Sequence, residues 1–358
     1  MLVLVTGGTG FIGAHSAAAI HHAGHRLRLL VRDPRRLAPA LVPLGVPADD
    51  VEVVVGDVTD PSTVDAAVDG CDAVLHAASV YSFDSRRHRS MAASNIRGTE
   101  IVLSRARRAG ADPIVHVSTF GALLPSRDTS ITPQSPVGAP RETYLRTKAR
   151  ADTIARQHQA DGAPVVITYP MASLGPHDPH LGDQASRVRD VLRGLLPIWP
   201  DGGFPVGDVR DVARLHAALL RAGQGPRRYF APGRYVSTRE FVGTLREVTG
   251  RRLPTIVLPS AAVLPVGRLA SAAQRLLPTP LPVQYGAVYI CRIGRPVDGS
   301  ATDDLLDQPA IPLRQSMADT VRWLHATGAI SDRQAGDARV ADALGDPHST
   351  PEPDVSPR

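Results

Sequence analysis

Short apolar runs recur through the first 170 residues, each followed by a stretch with the apolar spacing of a helix. Residues 2–5 form the first run, and a glycine-rich turn and a helix follow it. Over 26–32, Leu27, Leu29 and Val31 alternate with Arg26, Arg28 and Arg32, the two-residue period of a strand with one buried face. The runs VEVVV, DAVLH, PIVHV and PVVITY predict four further strands, with helices over 61–69, 90–109 and 141–161 between them. Strands and helices alternating at this spacing predict right-handed parallel βαβ units, and hence an α/β fold of the Rossmann type with a doubly wound parallel sheet.

Beyond about residue 170, Pro and Gly interrupt the pattern. This predicts a smaller, loop-rich substrate region over 171–330, with helices at 209–222 and 238–249 and some segments returning to the first unit. The nearly uncharged stretch 252–290 reads as core packing interrupted by turns, or as an apolar lid over a substrate or a membrane surface. Residues 331–358, rich in Pro, Asp and Ser, predict a disordered tail.

Composition narrows the function classes. Apolar residues make up 43% and charged residues 21%, a globular balance, while aromatics at 4% leave the core to Ala, Val and Leu. The net charge of +5 is dispersed, which argues against a nucleic-acid partner. Cys71 and Cys291 are the only cysteines and lie far apart, giving neither a disulfide framework nor a metal spacing. A reducing, cytoplasmic location is the expectation. It is joined by the absence of a charged leader and of any apolar run long enough for stable membrane insertion.

The turn VTGGTGFIG closes a strand and opens a helix. Gly7, Gly10 and Gly13, three apart, let the backbone turn sharply and approach a pyrophosphate, while the N–H groups at the helix start meet its charge. Thr9, Phe11 and Ile12 complete the loop. This predicts a nicotinamide dinucleotide site over residues 1–170. Arg32 ends the next strand, with Arg35 and Arg36 nearby, and a guanidinium there suits a 2′-phosphate, favouring NADP(H). Asp33 follows directly and keeps NAD(H) open.

Thirty-nine of the forty basic residues are Arg, and the one lysine, Lys148, stands four residues after Tyr144 on one predicted helix face. An ammonium there would favour the phenolate and lower the phenol's ordinary pKa of ~10. It can also bond vicinal ribose hydroxyls, a task a planar guanidinium meets poorly.

TGGTGFIG, VHVST and YLRTK, in this order and spacing, resemble the extended short-chain dehydrogenase/reductases of the epimerase/dehydratase superfamily. LLVRDP at 29–34 and FPVGDVRDVARLH at 204–216 are closest to the dihydroflavonol-reductase-like branch. The resemblance implies roles for matching residues. Tyr144 is the acid/base and Lys148 its partner; Thr119, rather than Ser118, bonds the substrate oxygen; Asn95 orders a water near the lysine. Asp57 and Val58 contact adenine, Ala77 and Ala78 lie along the cofactor, and Tyr169, Pro170 and the backbone to Ser173 flank the nicotinamide. Phe120 and Gly121 after Thr119 replace the acidic pair of sugar-nucleotide dehydratases. Arg187, Arg189 and Arg193 could still meet a diphosphate, and His177 and His180 fall on the family's substrate loop.

The expectation is therefore an NADP(H)-preferring enzyme interconverting a small-molecule carbonyl and alcohol, with a homodimer left open. An NAD-dependent nucleotide-sugar epimerase and a non-catalytic NAD(P) sensor are the alternatives.

Overall fold

The computed structural model describes residues 1–81, 91–273 and 285–339. Seven strands form one parallel sheet: β1 (Leu2–Thr6), β2 (Arg26–Val31), β3 (Val51–Val55), β4 (Ala73–His76), β5 (Ile114–Val117), β6 (Val165–Tyr169) and β10 (Arg227–Phe230). Their order, β10-β6-β5-β4-β1-β2-β3, reverses between β4 and β1. A crevice opens at such a reversal, outside the carboxyl ends of the strands, and it is where open α/β sheets hold ligands.

The central strands read as uninterrupted apolar runs because helices cover both faces. On one face lie α1 (Phe11–His22), the short α2 (Leu37–Leu41) and α7 (Val209–Ala218). On the other lie α3 (Pro61–Val68), α4 (Thr99–Arg108) and α5 (Thr143–Ala160). The buried face of α1 carries Gly13, Ala14, Ser16, Ala17 and Ala18, small residues that let it sit close to the sheet and to α7. A polar latch joins these layers: Ser16 Oγ lies 2.7 Å from His216 Nδ1, and His216 Nε2 lies 2.9 Å from Thr168 Oγ1.

One strand of the C-terminal half joins the main sheet. Strand β10 extends the sheet beside β6, with Arg227 in register with Val166. The rest builds smaller elements: α6 (Asp183–Leu192), a three-stranded sheet of β7 (Ala172–Leu174), β9 (Gly203–Asp208) and β11 (Arg234–Ser237), and α8 (Thr238–Thr249). A parallel pair joins β8 (Ile198–Pro200) to β12 (Ile256–Leu258), followed by α9 (Ser260–Ala273) and α10 (Tyr285–Ile293). The chain continues through α11 (Ser300–Asp303) and α12 (Leu313–Ala326).

Three boundaries differ from expectation. Helix α7 ends at Ala218, four residues early, where Leu219 caps it and the Leu220 nitrogen bonds back to the Ala217 carbonyl. The helix expected at 90–109 is a π-helical stretch, Ala93–Gly98, continued by α4; residue 90 lies outside the described residues. The tail expected to be disordered from 331 begins with α13 (Asp332–Ala335), closed by a Ser331/Gln334 capping box and seated by buried Ala335 and Ala338; residues 340–358 lie outside the described residues.

Candidate active site

The glycine loop follows β1 and the Ala77–Ala78 loop follows β4, so they face each other across the reversal in strand order. Gly7 has φ +77°, and a Cβ there would sit 2.6 Å from the Ala78 nitrogen. A Cβ on Gly13 would lie 2.1 Å from the Gly7 carbonyl oxygen, so the loop and the first turn of α1 interlock only without side chains. Gly10 is the N-cap of α1 and gives no side-chain cap, and the first turn has no acidic residue. A Cβ on Gly10 would meet only the Gly7 carbonyl oxygen, at 3.4 Å. A bare, uncapped helix start beside a glycine cradle fits the pyrophosphate of a dinucleotide. Phe11 packs edge-on against His15, whose Nε2 lies 3.0 Å from the Pro176 carbonyl oxygen, tying the start of α1 to the loop after β7. Thr9 and Ile12 lie in the same segment, partly buried.

At the tip of β2, Arg32 is exposed. Asp33 is already engaged: Arg35 donates Nε and Nη2 to its two carboxylate oxygens at 2.9 and 3.0 Å, and Arg36 stands 4.0 Å away. The Arg35 hydrogen bond holds the Asp33 carboxyl below its ordinary range. Asp57 after β3 closes a turn, accepting from the Thr59 nitrogen and hydroxyl at 2.9 and 2.8 Å. Val58 is buried against the end of the π-helical stretch, since a Cβ on Gly98 would lie 2.8 Å from its methyl.

Lys148 reaches the end of β5 just before Thr119, and Tyr144 lies one turn earlier on α5. Thr119 is the N-cap of the turn 120–123 and accepts from the Gly121 nitrogen at 3.3 Å, with its side chain partly exposed. A Cβ on Gly121 would meet Leu145 at 2.5 Å, so this glycine lets α5 press against the turn. Lys148, only 3% exposed, donates Nζ to the main-chain carbonyl of Val117 at 2.8 Å, two residues before Thr119. Ser118 is turned the other way and donates to Asp152 Oδ1 at 2.7 Å.

Electrostatics depart from expectation at the tyrosine. Burial, then the nearby Glu142 and Asp183 carboxylates, push the Tyr144 phenol above its ordinary pKa. The lysine was expected to lower it. Instead, Lys148 is itself brought down to about 8 by burial, which Asp152 partly opposes. The phenol is therefore held in its protonated form.

Asn95 is held by four protein partners. Its Nδ2 donates to Val80 O at 3.1 Å and to Thr147 Oγ1 at 3.0 Å, while Oδ1 accepts from the Val80 nitrogen at 2.7 Å and the Ser79 hydroxyl at 3.1 Å. It clamps the loop after β4 to the turn of α5 between Tyr144 and Lys148. The π-helical stretch that carries Asn95 is a geometry often found at functional sites. Tyr169 opens the segment expected to flank the nicotinamide. Its ring is fully buried, its hydroxyl accepts from Arg156 Nη2 at 2.9 Å and donates to Asp152 at 3.4 Å, and its carbonyl accepts from Ala231. The Pro170 carbonyl accepts from Phe120, and Ser173 Oγ donates to Met171 O.

Several site residues escaped the sequence reading. Tyr81 meets the Tyr144 ring edge-on at 4.6 Å. Met91, Tyr144, Leu145 and Tyr289 form one buried cluster, joined by Leu264 and Tyr285. The Tyr289 hydroxyl accepts from the Arg141 nitrogen at 3.1 Å. Helix α10 thus packs on Tyr144 from almost 150 residues downstream. Glu142 caps α5 by accepting from the Leu145 nitrogen, a function legible only in the fold. Of the three arginines that could meet a diphosphate, Arg189 is paired with Asp190 and Arg193 donates to Ala329 O, while Arg187 lies over the Phe204 ring. His177 is half-buried at φ +59°, and the main chain at His180 is held by Asp178. Among the described residues no cluster of metal-ligating side chains occurs, and no helix is long and apolar enough to cross a membrane.

A parallel sheet with its glycine loop at the strand reversal, and a Tyr–Lys helix over the next crevice, defines an NAD(P)-dependent enzyme of the extended short-chain dehydrogenase/reductase class. The chain belongs to the NAD dependent epimerase/dehydratase family, whose model matches residues 3–231. It is 27% identical to sterol demethylase protein B of Methylococcus capsulatus over 92% of this chain and 100% of that protein. It is 30% identical to the 4-hydroxy-2-methyl-3-oxo-4-farnesyl-3,4-dihydroquinoline-1-oxide ketoreductase of Stigmatella aurantiaca, over 94% of this chain and 97% of the relative. The solved structure of gox2253 superposes with a TM-score of 0.77 at 25% identity, covering 92% of this chain and 99% of that one.

Proposed function

We propose that the protein is an NADP(H)-preferring ketoreductase acting on an apolar carbonyl compound. The observation that carries this reading is Lys148 Nζ held on the Val117 carbonyl, two residues before Thr119 and one helical turn after Tyr144, in a sheet whose first helix starts uncapped at Gly10. A nicotinamide dinucleotide, held by the Gly7–Gly13 loop and Lys148, would supply or accept the hydride when bound. Tyr144, held protonated by burial, donates its proton to the carbonyl oxygen, and Thr119 Oγ polarises the same oxygen. Lys148, anchored on Val117 O, places its remaining N–H bonds for the nicotinamide ribose. Asn95 positions this turn of α5 through Thr147.

Arg32, exposed at the tip of β2, supports the choice of NADP(H), because the one carboxylate beside it is neutralised by Arg35 and Arg36. An apolar substrate is supported by the Met91, Leu264 and Tyr289 surroundings of Tyr144. It is supported also by the relatives named for a sterol and a farnesylated quinoline ketone. A nucleotide-sugar substrate is disfavoured by the commitment of Arg189 and Arg193 to other partners.

The test is NADPH oxidation with a panel of sterol and isoprenoid ketones, comparing wild type with Tyr144→Phe. The expected loss in kcat is ~10²- to 10⁴-fold with the NADPH Kd unchanged. Turnover of a nucleotide sugar without added cofactor would overturn the reading in favour of an epimerase.

A further inference from the structure

Exposed apolar side chains gather on one part of the surface. Of eleven large apolar residues exposed among the described residues, six are Leu195, Ile198, Ile256, Leu258, Val266 and Leu269. Ile198 and Ile256 are register partners across the β8–β12 pair, and Ile256 is 57% exposed. Strand β12 runs directly into α9, on which Val266 and Leu269 are 56% and 72% exposed. The junction is fixed by Asp201, which accepts from the Ser260 nitrogen.

Along the sequence of these elements the charge has one sign. Between Glu247 and Asp298 the chain holds six arginines and no acidic residue. Arg252, Arg268 and Arg292 are exposed, flanking β12, on α9 and on α10 respectively. Asp201 is the nearby carboxylate, and it is engaged at the start of α9. Large apolar side chains displayed beside arginines, with acidic residues excluded for fifty positions, match the chemistry of an anionic lipid surface.

The other side of the same elements faces the site. Leu264 of α9 and Tyr285 and Tyr289 of α10 pack with Tyr144. Gly267 permits the close approach of the two helices, since a Cβ there would lie 3.2 Å from Tyr285 Cα, and the Arg268 guanidinium sits 5.4 Å from the Tyr285 ring centre. One helical pair thus carries apolar side chains outward at Val266 and Leu269 and inward at Leu264.

We propose that β12 and α9 form a docking face for an anionic phospholipid surface, with Val266 and Leu269 entering the headgroup–acyl boundary and Arg252, Arg268 and Arg292 bonding lipid phosphates. The face provides a short route for a membrane-dissolved apolar substrate to the wall of the site. Lipid docking itself is independent of the redox reading, because its readout is partition and not turnover.

The experiment is co-sedimentation of the full chain with phosphatidylcholine vesicles, with and without phosphatidylserine. Binding is expected to the mixed vesicles and to fall as salt is raised. Val266→Ser/Leu269→Ser is expected to weaken partition at least about tenfold. Arg252→Gln/Arg292→Gln is expected to weaken it roughly fivefold per arginine. Both variants should keep the wild-type circular dichroism and NADPH titration. Failure of folded wild type to bind, equal binding to neutral vesicles, or indifference to both double variants would each overturn the proposal. A lipid-free dimer that Val266→Ser/Leu269→Ser converts to monomer, with no vesicle binding, would assign the face to a second copy instead.

Discussion

Ser118 and Asp152 are joined by a 2.7 Å hydrogen bond beneath the site, and this bond decides which of two adjacent hydroxyls faces the crevice. With Ser118 fixed inward, Thr119 is left partly exposed at the end of β5. Asp152 is itself fully buried and also paired with Arg156 at 2.8 Å. Burial raises its pKa while Arg156, Ser118 and Tyr169 oppose the rise. Asp152→Ala removes one partner of a buried pair and strands the others. The expected cost is ~3–5 kcal/mol in urea unfolding, with a lower kcat where the protein remains folded. Asp152→Asn should recover most of the stability, since an amide can still accept from Ser118.

The glycine cradle separates folding from binding. Gly13→Ala places a methyl on the Gly7 carbonyl, a clash with backbone that cannot relax cheaply. It should both destabilise the protein and abolish NADPH binding. Gly10→Ala meets nothing closer than 3.4 Å. It should fold normally and still lose NADPH affinity, because its methyl stands at the uncapped helix start. Fluorescence titration beside a melting curve distinguishes the two.

Cofactor choice should move with one exposed side chain. Arg32→Ala is expected to weaken NADPH by about 10- to 100-fold through loss of a charge-assisted contact, while leaving NADH within twofold or so. Asp33→Ala frees Arg35 and Arg36 and should leave the NADPH preference intact. Competitive titration of the two cofactors checks both.

Acid sensitivity follows from buried histidines. Burial lowers His76 and His216 to about 3 and His15 to about 4. His116, stacked on His76 at 5.6 Å, is lowered as well, and among the described residues neither of its ring nitrogens has a hydrogen-bond partner. The unfolded chain takes up these protons near pH 6.5, before the folded chain does. Stability is therefore full above that pH and falls as pH drops, by up to ~1.4 kcal/mol per unit for each histidine. Circular dichroism against pH should show unfolding near pH 5, above the range where carboxylates titrate. His116→Asn or His216→Asn should shift that midpoint downward.

Lys148 acts in the opposite pH range. Its folded pKa of about 8 lies below the unfolded 10.5, so the unfolded chain holds the extra proton between these values. Stability should therefore rise from pH 8 toward 10. Lys148→Met should flatten this rise while abolishing turnover.

What the sequence revealed was what is local. The glycine turn, the strand–helix alternation and the Tyr144/Lys148 pair each lie within a few residues, and each appears where its spacing puts it. The strand β10 and the helix α10 were not legible, because RRYF and YGAVYICRI acquire meaning only through pairing with β6 and contact with Tyr144. The clamp through Asn95 was not legible either, since its four partners come from the β4 loop and from α5. The inward turn of the Tyr169 hydroxyl onto the Asp152–Arg156 pair was likewise not legible, because Asp152 and Arg156 lie on α5 and Tyr169 on β6.

The latch through Ser16, His216 and Thr168, together with β10 beside β6, has a practical consequence for protein engineering. A chimera joined near residue 170 would sever both ties and leave two fragments with raw edges. A crossover placed after Phe230 keeps every strand of the main sheet and the latch from one parent, and the contacts it must then match across parents are the β9–β11 and β8–β12 pairings.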